Sequence, residues 1–198
     1  MAARNAEAAR RTGETDIKIH LNIDGTGRAK ISTGIGFFDH MLAAFARHGL
    51  FDLDAAVKGD IAVDGHHSVE DAAIVLGTAI RRAIGDKKGI KRYGYFILPM
   101  DEALVLCAID LCDRPYFVFE GEEKITAPMV GEFDTQLVRE FFYSLSYAAG
   151  MNLHFHVLSG TNAHHIIEAM FKAFSKALDT ATQIDVRIED VLSTKGTL

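Results

Sequence analysis

The chain has 198 residues, 48% of them hydrophobic and 24% charged, enough to bury a core and the right size for one domain or two small fused units. Lys and Arg number 21 against 27 Asp and Glu, a formal charge of −6, which is the wrong sign for neutralising nucleic-acid phosphates. No nucleic-acid partner is therefore expected. The longest unbroken apolar run, Ala103 to Ile109, falls far short of the roughly 20 residues of a membrane span, and the N-terminus shows no signal-peptide core. A cytoplasmic protein without a membrane partner is the reading. Two cysteines, Cys107 and Cys112, cannot build a disulfide framework or a cysteine-rich metal site and are read as reduced core residues. Of nine histidines, four stand in adjacent pairs, His66-His67 and His164-His165, and the search for chemistry starts there.

Residues 1–12 carry no sustained apolar stripe and read as a flexible N-terminal arm. From Asp16 the run I-K-I-H-L-N-I alternates with period two, Asp24-Gly25 supplies a turn and Arg28–Ser32 returns, which predicts a hairpin. A helix follows at about Ile35–His48, stopped by Gly49 as its C-cap, then a strand over 50–58. Asp64-Gly65 leads into a second helix whose Val69, Ala72, Ala73, Leu76, Ile80 and Ala83 form one apolar stripe, ending near Gly85. The same order recurs: strands near 93–98, 103–111 and 115–120, a helix near 134–149, a strand at 151–158 and a helix from about Ala163. In that last helix Ile167, Met170, Phe171, Phe174 and Leu178 mark the buried face.

Both histidine-bearing helices carry one string, H-H-S-V-E at 66–70 and H-H-I-I-E at 164–168, and the two lie 98 residues apart, about half the chain. Internal duplication is the simplest account. The fold class that follows is α+β, with duplicated β-β-α-β-α units, at 13–90 and 91–198, sharing one core, and a helical layer packed between two mixed β-sheets.

Successive helical residues point about 100° apart, so His66 and His67 do not grip the same ion, whereas Glu70, four residues from His66, lies on its side of the helix. The other histidine faces a second site. A single H-H-x-x-E string is an ordinary surface pattern about as often as a metal site, but twice at matching places in a repeat it points to paired metals. Imidazole and carboxylate without thiolate favour Mn, Fe, Co or Zn. His40 follows F-F-D at the start of the first helix and Glu140 stands at the matching stage of the second half. His40, His66, His67, Glu70, Glu140, His164, His165 and Glu168 thus make eight candidate ligands for two ions per active site. Four ligands per ion leave two positions of an octahedron open, which suits Mn(II) better than tetrahedral zinc.

E-T at 14–15, F-F-D-H-M at 37–41, D-G-H-H-S-V-E-D at 64–71, D-R-P-Y at 113–116, H-H-I-I-E-A-M-F-K-A-F at 164–174 and S-T-K-G at 193–196 together resemble the imidazoleglycerol-phosphate dehydratases of histidine biosynthesis along nearly the whole chain. The resemblance implies loss of water from imidazole glycerol phosphate to give imidazole acetol phosphate, with Mn(II) as cofactor. It further implies a homo-oligomeric shell of twenty-four subunits. Glu14 matches the family's base, and Arg92, Arg114, Lys172, Ser193 and Lys195 match its phosphate-binding positions. One position departs: many relatives have His where this chain has Glu140, and a carboxylate there remains able to bind a hard divalent ion. His48, at a helix end, is read as a dipole contact or a substrate contact. Two rival functions use the same ligands, a dinuclear metallohydrolase that activates water and a metal-storage helical bundle. The bundle has no use for a cationic phosphate pocket.

Overall fold

The structure, a computed structural model, describes residues 4–198. Strands β1 (Asn5–Arg11), β2 (Thr15–Asn22), β3 (Ala29–Ser32) and β4 (Asp52–Gly59) form one four-stranded sheet in the order β1-β2-β4-β3. Strands β5 (Tyr93–Met100), β6 (Ala103–Asp110), β7 (Tyr116–Glu120) and β10 (Asn152–Ser159) form a second in the order β5-β6-β10-β7. Both sheets are mixed, because β3 runs parallel to β4 and β7 parallel to β10 while the remaining pairs are antiparallel. Helices α1 (Gly36–Gly49), α2 (His66–Ile84), α3 (Leu137–Ala149) and α4 (Ala163–Thr182) lie between them. The α+β architecture with a helical layer between two sheets is the one the periodicity predicts.

Each sheet turns one face to the helices. Ile17, Ile19 and Leu21 of β2, Leu53, Ala55 and Val57 of β4, and Val105, Cys107 and Ile109 of β6 are all buried, at alternate positions, as the two-residue repeat of a strand requires. The predicted stripe of α2 is buried throughout, and so is that of α4. Phe142 stands at the centre of the second half, its ring 4.6–5.5 Å from those of Phe155, Phe171 and Phe174. Such aromatic pairs are worth about 0.5–1.5 kcal/mol each beyond the area they bury. Where α2 crosses α3 the helices touch at Gly77, whose missing Cβ would lie 2.6 Å from the Leu145 carbonyl oxygen. Cys107 and Cys112 are buried free thiols, and burial pushes the Cys107 thiol well up.

The N-terminal arm is corrected by the structure. Met1 to Ala3 lie outside the described residues, but Asn5–Arg11 is an edge strand in continuous antiparallel register with β2, from Asn5 opposite Asn22 to Arg11 opposite Asp16. Charge complementarity, not an apolar stripe, aligns it: Lys18 meets Glu7 at 3.1 Å and Arg11 meets Asp16 at 3.8 Å, as cross-strand pairs do. Arg4 fastens its start to Asp24, and Arg10 fastens its end to Asp71 of α2 at 2.7 Å.

The predicted hairpin is also corrected. The chain does reverse between β2 and β3, but β4 inserts between them and pairs with both. A wide loop makes this possible, held by Asp52, whose carboxylate accepts the backbone N–H groups of Thr26 and Arg28 at 2.9 and 3.0 Å. Two smaller corrections concern helix ends. Leu50 (φ 58°), one residue past Gly49, takes the left-handed conformation that closes α1. The third helix begins at Leu137 and not near 134, because Phe133–Asp134 (β9) pairs with Met129–Val130 (β8) in a short hairpin.

Candidate metal centre and active site

Both H-H-x-x-E strings occupy the first turn of a helix. Asp64 accepts the His66 N–H at 2.8 Å ahead of α2, and Asn162 caps α4 by accepting the N–H groups of His164 and His165. These short polar side chains satisfy helix-end donors and fix where each pair begins. The rings of His66 and His67 are 6.2 Å apart at 81°, and those of His164 and His165 repeat both values. Neighbouring histidines therefore address different sites, as helical geometry requires.

Glu168 is the centre of one group. Its Oε2 lies 3.1 Å from His164 Nε2 and 3.2 Å from His40 Nε2, and its Oε1 receives Lys172 Nζ at 2.6 Å. Burial pushes this carboxyl up, but Lys172, His40 and His164 outweigh it and the net direction is down. His40, His164 and Glu168 thus present three ligand atoms within 4.8 Å of one another, an imidazole and carboxylate set that fits a hard or borderline divalent ion. His66 Nε2 lies 3.8 Å from Glu70 Oε2, and His66 shares a cavity of about 150 Å³ with Glu140, Asp64, Asp134 and Gln136. The structure accordingly places Glu140 beside His66 rather than in the Glu168 group.

His67 and His165 belong to neither group. His67 Nδ1 lies 3.0 Å from Asp60 Oδ2 and 3.8 Å from Glu14 Oε2, and Glu14, Asp60 and His67 form the second group of potential ligands among the described residues. His165 Nδ1 lies 2.8 Å from Glu102 Oε2. Glu14 sits in the β1–β2 turn, where Thr12 Oγ accepts the N–H groups of Glu14 and Thr15 at 3.1 and 3.0 Å. Thr15 Oγ in turn donates to Asp71 Oδ2 at 2.5 Å, so the turn is braced against the helix that carries His66, His67 and Glu70. Replacing Asp71 with Ala removes this brace and the Arg10 contact. Stability should fall by about 1–3 kcal/mol, with a loss of kcat larger than any change in KM, as read by thermal denaturation and steady-state kinetics.

The expected phosphate-binding positions are only partly gathered. Arg92, Arg114, Ser193 and Lys195 line one cleft of about 750 Å³, together with Tyr93 and Arg187. Lys172 is elsewhere, on Glu168. Arg92 is buried, with its guanidinium bonded to both Asp110 oxygens at 2.7 and 3.1 Å and to the Leu192 carbonyl at 2.7 Å, so it anchors the C-terminal segment that forms one wall of the cleft. Arg114 and Lys195 form no ion pair among the described residues and remain the cations open to an anion.

Residues 33–178 match the model of the imidazoleglycerol-phosphate dehydratase family. The chain is 60% identical over 195 residues to the imidazoleglycerol-phosphate dehydratase of Lachnoclostridium phytofermentans, covering 98% of each chain. It is 59% identical to that of Acetivibrio thermocellus, over 98% of this chain and 99% of the other. The chain belongs to this family. Two crystal structures of imidazoleglycerol-phosphate dehydratases agree with the fold. The Staphylococcus aureus protein superposes with a TM-score of 0.79 at 37% identity, covering 91% of this chain and 100% of that one. The Pyrococcus furiosus protein gives 0.81 at 37%, covering 96% and 99%.

Asp60, Glu102 and Asp71 are the site residues that sequence reasoning misses in this dehydratase-family chain. Asp71 had a signal, standing next to Glu70 in the D-G-H-H-S-V-E-D string; Asp60 reaches His67 across the short β4–α2 connection, whereas Glu102 reaches His165 through tertiary structure. Their electrostatic effect is direct. The hydrogen bond it donates to Asp60 holds the His67 imidazole above its ordinary pKa, and the one donated to Glu102 does the same for His165. Conversely, His165 and the N–H groups of Asn162 and Thr161 lower Glu102 to about 2. A raised imidazole pKa means a more tightly held proton, so protons compete with metal for these rings on the acid side. At limiting metal, bound metal and activity should fall together as pH drops from about 8 towards 5, beginning above the ordinary imidazole value of about 6.5. A profile flat across that range would contradict a role for these rings as ligands.

Proposed function

We propose that this chain dehydrates imidazole glycerol phosphate to imidazole acetol phosphate as a metal-dependent enzyme of histidine biosynthesis, working in the cytoplasm. Family membership supports the reaction, and the observation that carries the metal dependence is the meeting of His40, His164 and Glu168. His40, His164 and Glu168 would hold one divalent ion, and His66, Glu70 and Glu140 would contribute to a second. His67 and His165, bonded instead to Asp60 and Glu102, would complete the sites of neighbouring chains in a homo-oligomeric shell. Mn(II) is the ion that this nitrogen and oxygen donor set suits. When bound, the ions would hold the substrate's imidazole in its deprotonated form, whose ring electrons favour departure of the adjacent hydroxyl.

The chain's own groups divide the remaining work. Glu14, exposed in its braced turn beside His67, is the proposed base that removes the C–H proton next to the departing hydroxyl. Arg114, Lys195 and Ser193 hold the phosphate in the cleft that Arg92 organises, Arg114 through a guanidinium fork matched to phosphate oxygens. Lys172, paired with Glu168 at 2.6 Å, would orient that carboxylate and remains a proposed phosphate contact on the family resemblance.

The direct test is an assay of the purified chain with imidazole glycerol phosphate, in which imidazole acetol phosphate should appear. Hydrolysis to free phosphate would favour a metallohydrolase, and no conversion at saturating Mn(II) would remove the proposal. Lys195→Ala should raise KM by roughly 10- to 150-fold, the equivalent of a charge-assisted contact of about 1.5–3 kcal/mol. Steady-state kinetics at saturating metal would show it.

A further inference from the structure

His67 and His165, which lie outside the His40, His164, Glu168 set and the His66, Glu70, Glu140 set, are each held through the same ring atom by a carboxylate that comes from elsewhere in the chain. His67 Nδ1 lies 3.0 and 3.2 Å from the two oxygens of Asp60. His165 Nδ1 lies 2.8 Å from Glu102 Oε2. An ionised carboxylate only accepts, so Nδ1 must be the protonated nitrogen in both rings, and Nε2 is left as the lone-pair nitrogen on the opposite edge. We infer that Asp60 and Glu102 are positioning residues that lock His67 and His165 into the tautomer and orientation that offer Nε2 to a metal ion. The inference rests on the metal-dependent reading above and adds to it two residues outside the H-H-x-x-E strings.

Glu102 is built for holding still. Its Oε1 accepts the backbone N–H groups of Thr161 and Asn162 at 3.1 and 2.8 Å, so one carboxylate ties the β5–β6 turn to the head of α4 and to the ring. Asn162 at the same place caps the helix through the N–H groups of His164 and His165. The origins of the two clamps matter more. Asp60 follows the last residue of β4, whereas Glu102 lies in the β5–β6 turn, although the two sheets share one strand order. The β1–β2 turn, the counterpart of the β5–β6 turn, carries Glu14, whose Oε2 lies 3.8 Å from His67 Nδ1, so both halves bring a carboxylate to the Nδ1 edge of the equivalent histidine, and in the first half Asp60 makes the closer contact at 3.0 Å. Carboxylates behind metal-bound histidines strengthen the ring as a donor and fix its direction, and their loss typically weakens metal binding by about 10- to 100-fold.

The test is a chelator-competition titration of Mn(II) into the full assembled protein, with free ion followed by its electron paramagnetic resonance signal. Asp60→Ala is the cleaner variant, since among the described residues the Asp60 side chain bonds only His67, and it should weaken Mn(II) binding roughly 10- to 100-fold at little cost in melting temperature. Glu102→Gln should do the same, and if the loss of its backbone contacts unfolds the protein, Asp60→Ala still decides. In a His67→Ala background Asp60→Ala should add nothing, because the residue acts through that ring. Wild-type affinity in folded Asp60→Ala, or an equal further loss in the His67→Ala background, would overturn the inference alone. Loss of one oxygen from the Mn coordination shell by X-ray absorption in Asp60→Ala would also overturn it, by making Asp60 a ligand. Absence of Mn(II) binding by the wild type, or indifference to His67→Ala, would overturn the metal reading itself.

Discussion

Replacing Glu14 with Gln should lower kcat by about 100- to 10,000-fold, the range set by loss of a positioned general base, while substrate binding and metal content stay at wild-type levels. The side chain is more than half exposed and its carboxylate oxygen stands 3.8 Å from His67 Nδ1, so it can reach a substrate held at the histidine cluster without being buried behind it. Gln keeps the shape and an acceptor oxygen but cannot take a proton at neutral pH. The turn conformation depends on Thr12, Thr15 and Asp71 rather than on the Glu14 side chain, so the substitution leaves the backbone in place. Separation of binding from turnover is therefore the expected signature. Near wild-type turnover would move the base elsewhere, with a metal-bound water or one of the helix carboxylates next to be tested.

Stripping the metal should abolish dehydration, and Mn(II) should restore it. Glu168 shows why the loss is expected to be complete. The side chain of this carboxylate is only 9% exposed and shares one oxygen between His40 and His164, an arrangement that brings three donors together from two helices with Lys172 as the one Lys or Arg paired to them among the described residues. Without an ion these groups have no route to activate the substrate's ring, and Glu14 then faces a C–H bond that is not acidic. If His67 and His165 complete the sites of neighbouring chains, as proposed, chelation should also shift the assembly towards smaller species in a sizing experiment. Full activity of metal-free protein would sink the mechanism; intact assemblies after chelation would sink only the claim that metal joins the subunits.

The parts of this fold that repeat with a regular period were legible in the sequence. The stripe Val69 to Ala83 and the face marked by Ile167, Phe171 and Phe174 predicted α2 and α4 because helix burial repeats every three to four residues. The pairs His66–Glu70 and His164–Glu168 were legible for the same reason. Edge strand β1 was not, since Ala and Arg carry little strand signal and its register comes from charges on β2. Nor was the insertion of β4 between β2 and β3, which no local turn pattern encodes. Ligand grouping is lost at the same boundary: the strings name six of the eight candidates, but that His40 joins Glu168 while Glu140 joins His66 depends on how α1 packs on α4 and α2 on α3. Asp60 reaches His67 across the short β4–α2 connection, and Glu102 reaches His165 only once α4 packs on β5 and β6.

An anomalous difference map at the Mn absorption edge, from crystals of the protein grown with Mn(II), tests the central claim most directly. Two peaks per chain are predicted, one contacted by His40, His164 and Glu168 and the other by His66 and Glu70, with His67 and His165 of each chain reaching ions through Nε2. Peaks absent at saturating Mn(II), or placed away from both H-H-x-x-E helices, would contradict it.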